Sequence, residues 1–181
     1  MPVSGTGSHT GAAFPAAAAG AYQWVVRYNG DSLHSPATSG CNAPAGAFAV
    51  VAPPEVSADL GAEVIDAGAS TPLTFTIANP VANTVPLTGI AVATTLPDGL
   101  AVASPNGASS TCGGTVTAPD GSQTIDLAGG TLQAGSSCTV SVDVTGAEPG
   151  PATVTTGEVS SANGGAGGTA TAALVVRAAS A

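Results

Sequence analysis

The stretch SSTCGGTVTAPDGSQTIDLAGGTLQAGSSCTVSVDVTG, residues 109–146, decides the fold. In its second half Cys138, Val140, Val142 and Val144 alternate with Thr139, Ser141 and Asp143. Alternation of this kind marks a strand with one buried face, and it places Cys138, Val140 and Val142 on that face. Cys112 stands 26 residues upstream in another β-like segment. The two cysteines are therefore read as a disulfide stitching an all-β domain, with a closed loop contributing roughly 3–4 kcal/mol in the chain-entropy model.

Working outward, short apolar strings recur near Val56–Leu60, Leu73–Asn79, Leu87–Leu96, Leu100–Ala103, Ser110–Thr117, Gln123–Leu127, Ala152–Ser160 and Thr169–Arg177, separated by Gly, Pro, Asn or Asp. No helical period lies between them, which predicts an immunoglobulin-like β-sandwich with antiparallel sheets. Leu73, Phe75 and Ile77 supply core from one strand, Ile125 and Leu127 from another, and Ala172, Leu174 and Val176 from the last. Ahead of Pro53-Pro54, AYQWVVRYNGD (residues 21–31) puts Tyr22, Trp24, Val26 and Tyr28 on one parity. This predicts a strand that stops at Asn29-Gly30-Asp31, with Trp24 in a core and AFAVVAPP (47–54) as the returning strand. The division that follows is a partial module over 1–52, a linker at 53–54 and a complete sandwich over 55–178.

Composition narrows the partners. The 181-residue chain has no lysine, and Arg27 and Arg177 face eleven carboxylates for a net charge of −9. Such a chain cannot neutralise phosphates or anionic lipids, which excludes nucleic acid and acidic membrane surfaces. Few aromatics and many glycines resemble disorder, but 44% of residues are apolar and they fall in alternating strings, which disordered chains lack. No run of 18 apolar residues spans a bilayer. The first 20 residues lack the charged start of a secretory signal, whereas three cysteines in β segments fit an oxidising compartment. Together these lead to the expectation that the chain is a piece of a longer secreted protein.

Candidate chemistry is sparse. Gly30-Asp31-Ser32-Leu33 spells the nucleophile block of a serine esterase family. That chemistry needs a downstream histidine paired with an aspartate, and the chain holds only His9 and His34. The string is read as a β-turn, with no catalytic residue assigned. The cysteines and histidines lack zinc-ligand spacing, and Asp31, Asp98 and Asp120 each sit beside Gly as turn formers; no metal and no cofactor are expected. Gly164-Gly165-Ala166-Gly167-Gly168 lacks the Lys of a phosphate loop and is read as a hairpin connection. Without lysine no Lys–Asn isopeptide crosslink can form, and no Asn-x-Ser/Thr acceptor occurs.

Two stretches resemble known families. YQWVVRYNGDSLHSPATSGCNAP resembles the carboxy-terminal hairpin of a bacterial immunoglobulin-like repeat of large surface proteins, matching at Tyr22, Trp24, Val25, Tyr28, Gly30, Asp31 and Cys41. Residues 55–178 resemble an uncharacterised immunoglobulin-like module that follows such repeats, through LTFTIANP, LTGIAVATTLPDGLAVASPNG, TCGGTV, GGTLQAGSSCTVSVDVTG and GGTATAALVV. The resemblance implies an extracellular, cell-surface, tandem-repeat context without catalysis, with neighbouring repeat domains as partners. It also implies that Cys41 pairs with a cysteine on an earlier strand; no cysteine precedes it here, so Cys41 is expected to be a free thiol. The reading is a structural spacer. Its rivals are an adhesin recognising carbohydrate or protein through its loops, and a fibre subunit assembling by strand complementation.

Overall fold

The structure, a computed structural model, describes residues 13, 15–16, 18–40 and 46–179. Before the Pro-Pro pair lie β1 (Gly20–Gln23), β2 (Arg27–Tyr28), β3 (Ala37–Thr38) and β4 (Ala47–Val50). After it come β5 (Glu55–Leu60), β6 (Val64–Asp66), β7 (Ser70–Ala78), β8 (Leu87–Thr95), β9 (Leu100–Val102) and β10 (Ser109–Ser110). The remainder are β11 (Thr115–Thr117), β12 (Thr124–Leu132), β13 (Ser137–Gly146), β14 (Gly150–Thr155), β15 (Ser160–Ser161), β16 (Gly165–Ala166) and β17 (Thr171–Arg177). No α-helix occurs among the described residues, and the chain is an all-β, immunoglobulin-like sandwich preceded by a β-hairpin.

One layer runs β10-β13-β7-β5, with β9 also on β13; the other runs β11-β12-β8-β15-β16. The pairing of β13 with β7 sets the core. Cys138 sits opposite Ile77, Val140 opposite Phe75 and Val142 opposite Leu73. Because side chains on a strand alternate, this register gathers all six on the inner face. Phe75, Ile77, Val140 and Val142 are buried, packed with Ile90, Val92, Ile125 and Leu127 from the opposing layer.

A third ribbon, β14-β17-β6, joins the second layer through a bridge from Thr156 to Thr94. In this ribbon β17 pairs with β6 in parallel, the one parallel pair among the described residues. Val64, Ile65 and Asp66 lie opposite Val175, Val176 and Arg177. The β12 strand continues past Leu127, where the sequence pattern stops, through a bulge at Ala128–Gly130. Gly129 takes a φ of 76°, a left-handed value that a side chain disfavours.

The amino-terminal region departs from its expected form. The strand expected over 21–28 is broken: β1 pairs with β4, whereas β2 pairs with β3. Trp24 is 50% exposed, so its assignment to a core is corrected. Its indole stacks on Phe48 at 6.0 Å, and Phe48 stacks on Tyr22 at 5.4 Å. A two-stranded sheet gives an indole cross-strand neighbours but is too narrow to enclose it.

Candidate functional site

The esterase-like string is built as a turn around Asp31. Asp31 Oδ1 accepts the backbone N–H groups of Leu33 and His34, each at 2.8 Å, and Tyr28 Oη–H donates to Oδ2 at 2.6 Å. The Asp31 N–H in turn donates to the His34 carbonyl at 3.0 Å. Aspartate folding back on the amides two and three residues ahead is the local chemistry that makes Asp a turn residue. His34 Nδ1 lies 2.9 Å from Asp31 Oδ1, so the ring is held by the aspartate within the same exposed turn. A general base for Ser32 would have to reach across from a separate element, as nucleophile and base do in a hydrolase site.

These bonds hold the Asp31 carboxyl at about 2, below its ordinary 3.8, with the Tyr28 hydroxyl as the largest cause and the Leu33 and His34 donors behind it. The same bond raises the Tyr28 phenol. Because the folded value is depressed, the turn gains its stabilisation above the ordinary carboxyl range and loses it as pH falls through about 2. A carboxyl-carbon NMR titration is expected to show an Asp31 midpoint near 2 in the intact chain and an upward move in Tyr28→Phe. An unchanged midpoint in that variant would remove the Tyr28 hydroxyl as the main cause.

Other candidates disperse. Among the described residues no three His, Cys, Asp or Glu side chains converge where a metal ion could sit. Asp120 Oδ2 accepts Ser104 Oγ–H at 2.9 Å, and Asp98 and Glu148 line an open depression. The stacked rings of Tyr22, Phe48 and Trp24, with Gln23, line a shallow groove on the hairpin. Cys41 lies outside the described residues.

The two remaining cysteines are bonded. Cys112 and Cys138 form a disulfide, with Cα atoms 5.0 Å apart and both residues buried. Its position is specific to the topology: the chain leaves the first layer at β10 and enters the second at β11, and Cys112 sits at that crossing. The Cys112 carbonyl accepts the Thr131 N–H at 2.9 Å, just beyond the β12 bulge. A Cβ on Gly130 would stand 3.3 Å from that carbonyl and 3.2 Å from Ile90, so the crossing packs closely on a glycine.

What sequence reasoning missed is a pair of buried amides, Asn79 and Asn83, in the turn after β7. NPVANTVP reads as a polar loop, and only the partners show that both side chains point inward. Asn83 bonds both backbone groups of Ala52, 31 residues away. Asn79 reaches the carbonyls of Leu132 and Gln133 at the end of β12, 53 and 54 residues away, as well as that of Val85.

Geometry and chemistry together define a disulfide-braced β-sandwich module. Residues 54–176 match the model of a domain of unknown function (DUF7933), and the chain belongs to that family. No curated protein matches it. Among solved structures it is similar to BslA, a bacterial hydrophobin, at 16% identity and a TM-score of 0.48 over 72% of this chain and 98% of that one. It is also similar to the cohesin module of a Clostridium perfringens ATCC13124 family 33 glycoside hydrolase, at 9% identity and 0.49 over 72% and 99%. A non-cellulosomal cohesin from the hyperthermophilic archaeon Archaeoglobus fulgidus aligns at 12% and 0.40 over 67% and 91%.

Proposed function

We propose that residues 54–176 serve as a non-catalytic, load-bearing spacer in a secreted bacterial surface protein, and that residues 1–52 belong to a second immunoglobulin-like repeat joined through Pro53-Pro54. The observation that carries this is the parallel pairing of β6 with β17. When a chain is stretched from both ends, force enters the module through β5 and β17. Strand β5 lies antiparallel on β7, and once it is drawn off the load passes to β6 against β17. Parallel partners pulled at opposite ends slide past one another, so their hydrogen bonds share the load; antiparallel partners pulled from one end part in succession.

The clasp is reinforced on both flanks. Val175 N–H donates to the Glu63 carbonyl at 2.9 Å and Ala67 N–H to the Arg177 carbonyl at 2.8 Å. Ile65 and Val176 bury their side chains beneath it. The Arg177–Asp66 ion pair at 3.1 Å is exposed and adds little. A disulfide inside a sandwich persists in an oxidising compartment, which supports secretion. Uncharged Thr and Ser on the outward faces, with a net charge of −9, keep such a surface soluble.

The preceding region is likewise proposed to be non-catalytic, and this is tested at the Gly30–Leu33 turn. Short-chain p-nitrophenyl esters are expected to hydrolyse at the buffer rate with the intact chain and with Ser32→Ala alike. Turnover that Ser32→Ala abolishes would refute the reading.

A further inference from the structure

We infer that Asn83, backed by Asn79 on one side and by Gly164 and Gly167 on the other, locks the linker Val51–Pro54 onto the sandwich, so that the hairpin and the module turn as one body. Asn83 treats Ala52 as a strand would treat its neighbour. Its Oδ1 accepts the Ala52 N–H at 2.7 Å, and its Nδ2 donates to the Ala52 carbonyl at 3.0 Å. The second Nδ2 proton goes to Asn79 Oδ1 at 2.7 Å. Asn79 Nδ2 is anchored in turn on the carbonyls of Val85, Leu132 and Gln133 at 3.1–3.2 Å. Both amides are buried, at 2% and 3% exposure.

This arrangement fixes the amide's orientation. Turning Asn83 over would set its oxygen against the Ala52 carbonyl and Asn79 Oδ1, leaving three acceptors facing one another without a proton. Aspartate, nearly the same shape, fails for the same reason.

The opposite wall of the seat needs glycine. A Cβ on Gly164 would stand 2.7 Å from the Ala52 carbonyl oxygen, and one on Gly167 would overlap the Pro54 carbonyl. The glycine-rich stretch at 164–168 thus has a second use besides turning the hairpin from β15 to β16. Pro54 is buried, and Val51 packs on the core. Val50 is the last residue paired in the hairpin, opposite Gly20. No residue is left between Val50 and the gripped segment to act as a hinge, and the two prolines have fixed φ angles. The inference stands apart from the spacer reading, since a rigid joint would suit a binding module equally well.

The test uses the full chain and amide NMR. In the unaltered protein the Ala52 amide is expected to exchange as slowly as those of residues 139–144, and residues 47–50 to share the tumbling of the sandwich. Asn83→Asp keeps an oxygen for the Ala52 N–H but sets its second oxygen, with no proton to give, against the Ala52 carbonyl and Asn79 Oδ1. The segment should therefore leave its seat, and Ala52 protection should fall by about tenfold or more. The substitution should also give residues 47–50 faster motion of their own while 139–144 stay protected. Gly167→Ala should do the same from the other wall. An Ala52 amide that exchanges freely in the unaltered chain overturns the inference. So does unchanged protection and motion in both variants. If a variant also loses protection at 139–144, the module has unfolded and the unaltered chain's Ala52 exchange and 47–50 motion decide.

Discussion

Replacing Cys112 and Cys138 together with alanine is expected to lower the stability of the module by about 3–4 kcal/mol. The bridge spans 26 residues, and removing it returns the freedom of that loop to the unfolded chain. The native state loses a specific restraint as well, because the bond sits where the chain passes from one layer to the other. Around it the paired strands are short, β10 with two residues and β11 with three, and the Thr131 N–H adds one tie to the Cys112 carbonyl. Urea unfolding followed by far-ultraviolet circular dichroism, with and without reductant, checks this. The midpoint of the alanine pair should match that of the reduced native chain and lie well below that of the oxidised one. A loss smaller than about 1 kcal/mol would mean that the crossing is held by its backbone bonds, chiefly Thr131 N–H to the Cys112 carbonyl.

How far the fold could be read from residues alone depended on whether each element's signal is local. The β7 and β13 strands alternate strictly and are nine and ten residues long, so their burial pattern is present in the sequence itself. Strand β6 is three residues long and finds its partner 111 residues downstream; Val64 and Ile65 between glycines carry no such signature. The bulge in β12 hid the second half of that strand, because Gly129-Gly130 reads as a breaker where the sheet uses it as a kink.

Trp24 shows the converse limit. Parity shows that Tyr22 and Trp24 share a face, but burial depends on what lies over that face, and the alternation of a hairpin contains nothing about a second layer. The linker clamp was illegible for a related reason. Asparagine near proline signals a turn whether its amide faces water or the interior, and Asn83 is distinguished only by Ala52, 31 residues away.

The central claim, a sandwich built to carry load between its ends, is tested most directly by pulling single molecules from two pairs of points. Handles at residues 54 and 178 load β5 first and, once it leaves β7, β6 against β17 in shear. Handles at 150 and 178 peel β14 from β17, since Gly150 lies opposite Val176 in an antiparallel pair. The account predicts a clearly higher unfolding force along the first axis than along the second. It further predicts that extension along the first axis falls short of the full chain by about 90 Å until reductant is added, because the bridge withholds 26 residues at about 3.5 Å each. Equal forces along the two axes, or a weaker response along the first, would contradict the claim.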